Sequence, residues 1–271
     1  MIVALFSGAL VSSSYVAAIK IAVPKHVTQL ERNNPEVIKF RVRRVLGLCL
    51  FLVFIVPLIS VGLGGAPNVK SAIRQMGLLP GFTKSHAISI DLLNIAWAQL
   101  KIASLYMGPI FAYIYTEAHY WRADLRQNFA TLTGLRDHVF APITEEFVYR
   151  AALLVILEPV LLERSLIYYS PLFFGLAHVH HGFTLYKHEK VPFESAAAAS
   201  GFQFVYTTLF GILANTFYVK SNYNLWCPIV VHATCNLLGF PSFDVKDTHP
   251  RFFYFYCGLL ILGIVTFWKL L

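Results

Sequence analysis

Apolar runs long enough to cross a bilayer recur along this chain, and one of them, 138–162, holds Glu145, Glu146 and Arg150. A spanning helix needs about 20 predominantly apolar residues. Hydrophobic residues fill 57% of the 271 positions and charged residues 13%, against about 25% charged in a soluble domain. Inside lipid every backbone N–H and C=O must find its partner within the chain, which leaves helices or closed barrels. The roughly ten-residue alternation of a barrel strand is missing from the pattern. The expected fold is therefore all-α: a polytopic membrane protein of about eight transmembrane helices around an intramembrane catalytic cavity. It reads as one integral-membrane domain over 1–271, with its motifs within about 130–240.

The expected spans are 1–23, 45–65, 93–116, 138–162, 165–178, 195–219, 225–240 and 252–271. Stretch 24–44 reads as a basic polar loop, 117–137 as a mixed-charge loop and 188–194 as a polar connection. Pro57 predicts a kink in the second span, and Asp91, Asn94 and Lys101 make the third the weakest. The small residues from Ala196 to Gly201 suit close approach to a neighbouring helix. Cys49, Cys227, Cys235 and Cys257 all fall in apolar runs without Cys-x-x-Cys spacing, so they read as buried thiols. Loops 24–44, 117–137, 182–194 and 241–251 hold more Lys and Arg than the loops between them. The positive-inside rule puts that side in the cytosol. A net charge of +8 then fits anionic headgroups, and no basic-aromatic module suggests nucleic acid.

Two carboxylates and a guanidinium in one apolar run are costly, by about 2.5–3.5 kcal/mol each on insertion scales. Glu146 and Arg150 stand i,i+4 and can pair on one helix face. Glu145, about 100° away, has no local counter-charge, and a carboxylate in a low-dielectric site is suited to general-base work. His178 ends the fifth span, and His232 and Asn236 stand i,i+4 in the seventh. With the expected helix ends, Glu145 and His232 each lie about eight residues, roughly 12 Å, from the cytosolic side. A Glu and a His could activate water while His and Asn donate to a developing oxyanion. An ion pair that only fixes packing is the structural reading of Glu146 and Arg150. Interhelical hydrogen bonding is the structural reading of His232 and Asn236. Two His and one Glu could also bind zinc. However, no His-Glu-x-x-His occurs and no carboxylate is evident to orient either ring, so no metal or other cofactor is expected. The chain also lacks a Gly-x-Ser-x-Gly elbow, and Cys235 sits mid-helix, which disfavours serine or cysteine nucleophiles.

Glu-Glu-x-x-x-Arg at 145–150, Phe-x-x-x-His at 174–178 and His-x-x-x-Asn at 232–236 together resemble the CAAX protease and bacteriocin-processing superfamily. The surroundings, Ala141-Pro142-Ile143-Thr144 and His232-Ala233-Thr234-Cys235-Asn236, are similar to its type II, Ras-converting CAAX prenyl endopeptidases. The resemblance implies an enzyme of the endoplasmic reticulum membrane, open towards the cytosol. It implies removal of the last three residues from prenylated CAAX proteins such as Ras-type small GTPases. By motif position, Glu145 is the water-activating base assisted by His178, and His232 and Asn236 form the oxyanion site. Glu146 and Arg150 give structural support, and Cys235 matches a cysteine not essential to the family. Two alternatives stay open: a non-catalytic scaffold or immunity-type member of the superfamily, and a proton-relaying transporter. A scaffold has no need of the intact four-residue set, and a transporter would show an internal repeat.

Overall fold

The computed structural model describes residues 1–187 and 189–271, so the polar connection expected at 188–194 begins at a residue outside them. Among the described residues the only regular elements are helical. The principal ones are α1 (Ile2–Lys20), α2 (Pro35–Gly62), α3 (Ile88–Leu105), α4 (Met107–Thr116), α5 (132–157), α6 (Pro171–His178), α7 (Phe193–Lys220), α8 (Trp226–Leu238) and α9 (Pro250–Leu270). Helices α1, α2, α3, α7 and α9 are long and apolar enough to cross a membrane. The chain is thus an all-α, multi-pass membrane protein.

Helix α5 is the axis of the bundle. Helices α1, α2, α6, α7 and α8 pack around it, and α3, α4 and α9 form an outer group joined through α8. Every residue from Glu146 to Leu157 is buried. A helix apolar on all sides belongs inside a bundle, and the continuous run Ala151–Leu157 carries that message in the sequence. The helix is not uniform. Two wide, π-type turns, Arg136–Phe140 and Phe147–Ala152, bracket the short α-helical stretch Ala141–Glu146. Pro142 accounts for the first: its missing N–H removes one rung of the normal ladder. The second begins directly after the glutamate pair, a place where such bulges are often functional.

Several expected boundaries move for identifiable reasons. Helix α2 starts ten residues before the expected span because Asn34 caps it, its Oδ1 accepting from Glu36 N at 2.9 Å, and Pro35 occupies the first turn. Lys39, Arg41, Arg43 and Arg44 are therefore helical. The loop expected at 117–137 contains a helix, Trp121–Phe129, and α5 begins at Leu132. Counted from that start, Glu145 lies thirteen residues in, roughly 20 Å rather than 12 Å. The third expected span is broken at Tyr106, because Pro109 cannot bond the carbonyl of Leu105.

The fifth expected span, 165–178, breaks into Glu163–Tyr168 and Pro171–His178, and a further helix, His180–Lys187, reaches into the expected loop 182–194. Pro171 interrupts the helix, and Asn215 of α7 satisfies the break: its Nδ2 donates to Leu166 O and Ser170 Oγ, both at 2.8 Å. A freed carbonyl at membrane depth needs such a partner. Lipid tails give little hydrophobic drive for one helix to join another, so close packing carries the assembly. At Gly211 of α7 an added Cβ would lie 2.7 Å from the Pro171 ring. The small-residue start of α7 behaves as expected only in part: Ala196 is buried near Gly182, whereas Gly201 faces open space.

At the end of the bundle remote from α6's histidine, fully buried Asp91 ties the 81–85 turn to α3. It accepts from Gly81 N at 2.7 Å, Thr83 Oγ1 at 2.8 Å and Ser85 Oγ at 2.7 Å. Composition marked Asp91 only as an oddity; its role is that of a local cap.

Candidate active site

Glu145 and Glu146 sit where α5 changes from α-helical to wide turns, and the two carboxylates meet different surroundings. Glu146 is fully buried and uses both oxygens. Its Oε2 lies 3.0 Å from Arg150 Nε, the i,i+4 pair expected from spacing. Its Oε1 accepts from His232 Nδ1 at 2.7 Å, across to α8. The sequence reading found no carboxylate to orient either imidazole; that reading is corrected here, because Glu146 orients His232. The signal was hidden because the two residues lie 86 positions apart and Glu146 already had a local partner.

Arg150 is likewise buried, and its contact to Glu146 is an ion pair rather than a well-aligned hydrogen bond. Its guanidinium lies over Phe174 of α6, 4.7 Å from the ring centroid, and near Phe210 of α7 at 5.8 Å. Aromatic faces offset part of the cost of burying a cation. The Phe210 ring also meets the His232 ring at 4.8 Å. Arg150, Glu146 and His232 thus form a chain from α6 and α7 through α5 to α8.

Glu145 is half-buried and makes no hydrogen bond or ion pair to the described residues. It faces the phenols of Tyr15 and Tyr149, which lie within its Coulomb range. Those rings are fixed from α1: the Tyr15 hydroxyl meets Thr144 Oγ1 at 3.1 Å, and Tyr149 OH donates to Ser12 O at 3.2 Å. Tyr149 also packs edge-on to Phe174 at 4.8 Å. Reading the motifs singled out neither tyrosine. Tyr149 stands inside the Glu-Glu-x-x-x-Arg spacing, where that pattern accepts any residue.

His178 Nδ1 donates to Phe174 O at 2.8 Å, and its ring lies 4.6 Å from the Phe174 ring. That bond commits Nδ1 as donor and leaves Nε2 as the nitrogen available to a reactant. The His181 ring lies 5.9 Å away. His181 lies past that apolar segment. Burial first, then His180, His178, Arg32 and Lys20, push its imidazole down to about 3, so it is neutral near pH 7. Asn236 is exposed, and its Nδ2 donates to Asp137 O at 2.8 Å. The pairs Asn236–Asp137 and His232–Glu146 make α8 antiparallel to α5. Cys235, beside Asn236, packs with the Ala98, Ile102 and Val231 cluster. All four cysteines are free.

The four residues expected to act together are thus distributed over α5, α6 and α8, with Glu145 near the middle of α5 and Asn236 bonded near its start. Glu145 bonds none of the other three. Glu146, expected as support for Arg150, also holds His232. Among the described residues no three His, Cys, Asp or Glu side chains gather as a metal-ligand set.

Residues 127–238, which contain all these groups, match the family model described as type II CAAX prenyl endopeptidase Rce1-like. CAAX prenyl protease 2 of Saccharomyces cerevisiae is 30% identical over 235 residues, covering 81% of this chain and 75% of the relative. The chain belongs to the type II CAAX prenyl endopeptidase family. The human CAAX prenyl protease 2 is 34% identical over 117 residues, 43% of this chain and 35% of the relative. The probable CAAX prenyl protease 2 of Schizosaccharomyces pombe is 28% identical over 172 residues, 62% of this chain and 63% of the relative. No solved structure matches the chain significantly. Family membership makes this protein a CAAX prenyl endopeptidase, a membrane-embedded peptide hydrolase.

Proposed function

We propose that this protease removes the C-terminal tripeptide from prenylated CAAX proteins by a water activated at Glu145. One observation carries the reading: of two adjacent carboxylates, Glu146 spends both oxygens on Arg150 and His232, and Glu145 has no hydrogen-bond or ion-pair partner among the described residues. In this mechanism Glu145, with His178 Nε2, takes a proton from water. The water oxygen bonds the scissile carbonyl carbon. His232 Nε2 and the Asn236 amide donate to the oxyanion that forms. Collapse breaks the C–N bond, and the departing amine takes up the proton.

The bonds observed add a requirement. Because His232 Nδ1 donates to Glu146, its Nε2 can donate only if the ring carries both protons. Glu146 and Arg150 are then positioning residues.

The whole chain acts as one membrane domain, with the motif-bearing core at about 130–240. The prenyl group enters laterally from lipid, into which an isoprenoid partitions. The peptide enters from the cytosolic face of the endoplasmic reticulum, and Ras-type small GTPases are the partners this chemistry fits. The experiment is cleavage of a farnesylated CAAX peptide by purified protein, with and without chelator, beside Glu145→Ala. The wild type cleaves with or without chelator, and the variant loses at least about 100-fold. Activity that survives Glu145→Ala removes the base assignment. Activity lost to chelator and restored by zinc replaces the metal-free mechanism.

A further inference from the structure

Beyond the catalytic groups, the same end of the bundle gathers cations from three separate segments. Lys20 ends α1, Arg32 lies in the connection before α2, and Arg41 lies in the second turn of α2. Arg44 Nη1 donates to Ile21 O at 2.7 Å, which seats the Lys20 end of α1 on the turn of α2 that follows Arg41. Lys20 is within Coulomb range of both Arg32 and Arg41, and Arg41 of Arg32 and Arg136. Arg136 is occupied: it pairs with Asp137 at 2.7 Å and donates to Asn33 Oδ1 at 3.0 Å. Among the described residues Lys20 Nζ donates only to the neutral Thr184 Oγ1, at 3.3 Å. Among the described residues, Lys20, Arg32 and Arg41 have no ion pair to a carboxylate. Like charges brought together from separate segments repel, and repulsion left uncompensated within the chain points to an anionic ligand.

The cluster borders the candidate active site on two sides. Arg32 and Lys20 reach the surroundings of His181, whose ring lies 5.9 Å from that of His178. Arg136 adjoins Asp137, whose carbonyl accepts from Asn236. Three extended residues span roughly 10 Å, about the reach of an unscreened charge interaction. A peptide laid with its scissile bond at Glu145 and its C-terminal end towards His178 and Arg136 would end beside these cations.

We propose that Lys20, Arg32 and Arg41 bind the free C-terminal carboxylate of the substrate, which places the bond three residues upstream at the activated water. The inference rests on the hydrolytic site described above and names the feature of the substrate that the site measures from. Guanidinium groups suit this task, because they stay charged and offer paired donors to a carboxylate.

The test compares one farnesylated CAAX peptide as free acid and as C-terminal amide, in neutral detergent. The wild type cleaves the acid with kcat/KM about ten- to a hundredfold above the amide. In Arg32→Gln/Arg41→Gln the acid falls to the level of the amide. A Lys269→Gln control lies at the opposite end of α9 and keeps the ratio. Thermal unfolding of each purified variant checks that it is folded. Equal cleavage of acid and amide by the wild type overturns the proposal, as it would if these cations served only lipid headgroups. A folded double variant that keeps the full ratio does the same. Cleavage of neither peptide by the wild type overturns the hydrolase reading, and this inference with it.

Discussion

Glu145 and Glu146 are identical side chains one position apart, yet the bundle gives them opposite assignments. Glu146 is surrounded by Arg150, His232 and aromatic rings, so its charge is spent on structure. Replacing Arg150 with Ala leaves the buried Glu146 carboxylate with His232 as its one remaining partner among the described residues. The expected cost is about 3–5 kcal/mol, read as a lowered unfolding midpoint in detergent; a loss under about 1 kcal/mol would show the pair to be incidental. Glu146→Gln keeps the shape but replaces an oxygen that holds Arg150 or His232 with an amide. If Glu146 positions His232, kcat should fall while KM and the unfolding midpoint change little, and an unchanged kcat would sever Glu146 from His232. Cys235→Ala should keep most activity, because that thiol packs among apolar neighbours of α3 and α8.

Elements here are shaped by where proline and glycine fall. Pro142, Pro109 and Pro171 each interrupt a helix, and each break lies beside a site or a close crossing. The α6–α7 crossing gives a prediction with opposite signs. Gly211→Ala sets a methyl 2.7 Å from the Pro171 ring, which cannot rotate away, and should destabilise by about 1–3 kcal/mol. Gly201→Ala points into open space and should be neutral or stabilise by up to about 1 kcal/mol through helix propensity. Thermal unfolding of both variants decides it; equal shifts would mean that the crossing has slack. Five of the eight expected spans stand as helices long and apolar enough to cross a membrane, because hydropathy is a local property; the others are shorter or broken helices. Their ends were less so: α2 and α5 extend into stretches whose charge read as loop, since a cap such as Asn34 outweighs polarity.

On the scale of the whole molecule, α5 is enclosed by its neighbours, and His178 and Asn236 lie towards the end carrying Arg32, Arg41 and Arg136. The opposite end carries Asp91's turn and the Lys84–Glu158 ion pair at 2.5 Å. If the cationic end is cytosolic, a cysteine-free variant with Glu36→Cys is labelled in sealed microsomes by a membrane-impermeant thiol reagent. The corresponding Lys70→Cys variant is labelled only after permeabilisation. The reverse pattern inverts the topology and would place the site in the lumen. By itself, the sequence determined a helical membrane protein and the side chains worth watching, because hydrophobic run length and misplaced charge are visible without contacts. Tertiary structure alone decided that Glu146 reaches His232 while Glu145 stays unpaired among the described residues. A carboxylate has two oxygens, spacing along one helix accounts for only one of them, and the second partner arrives from another helix.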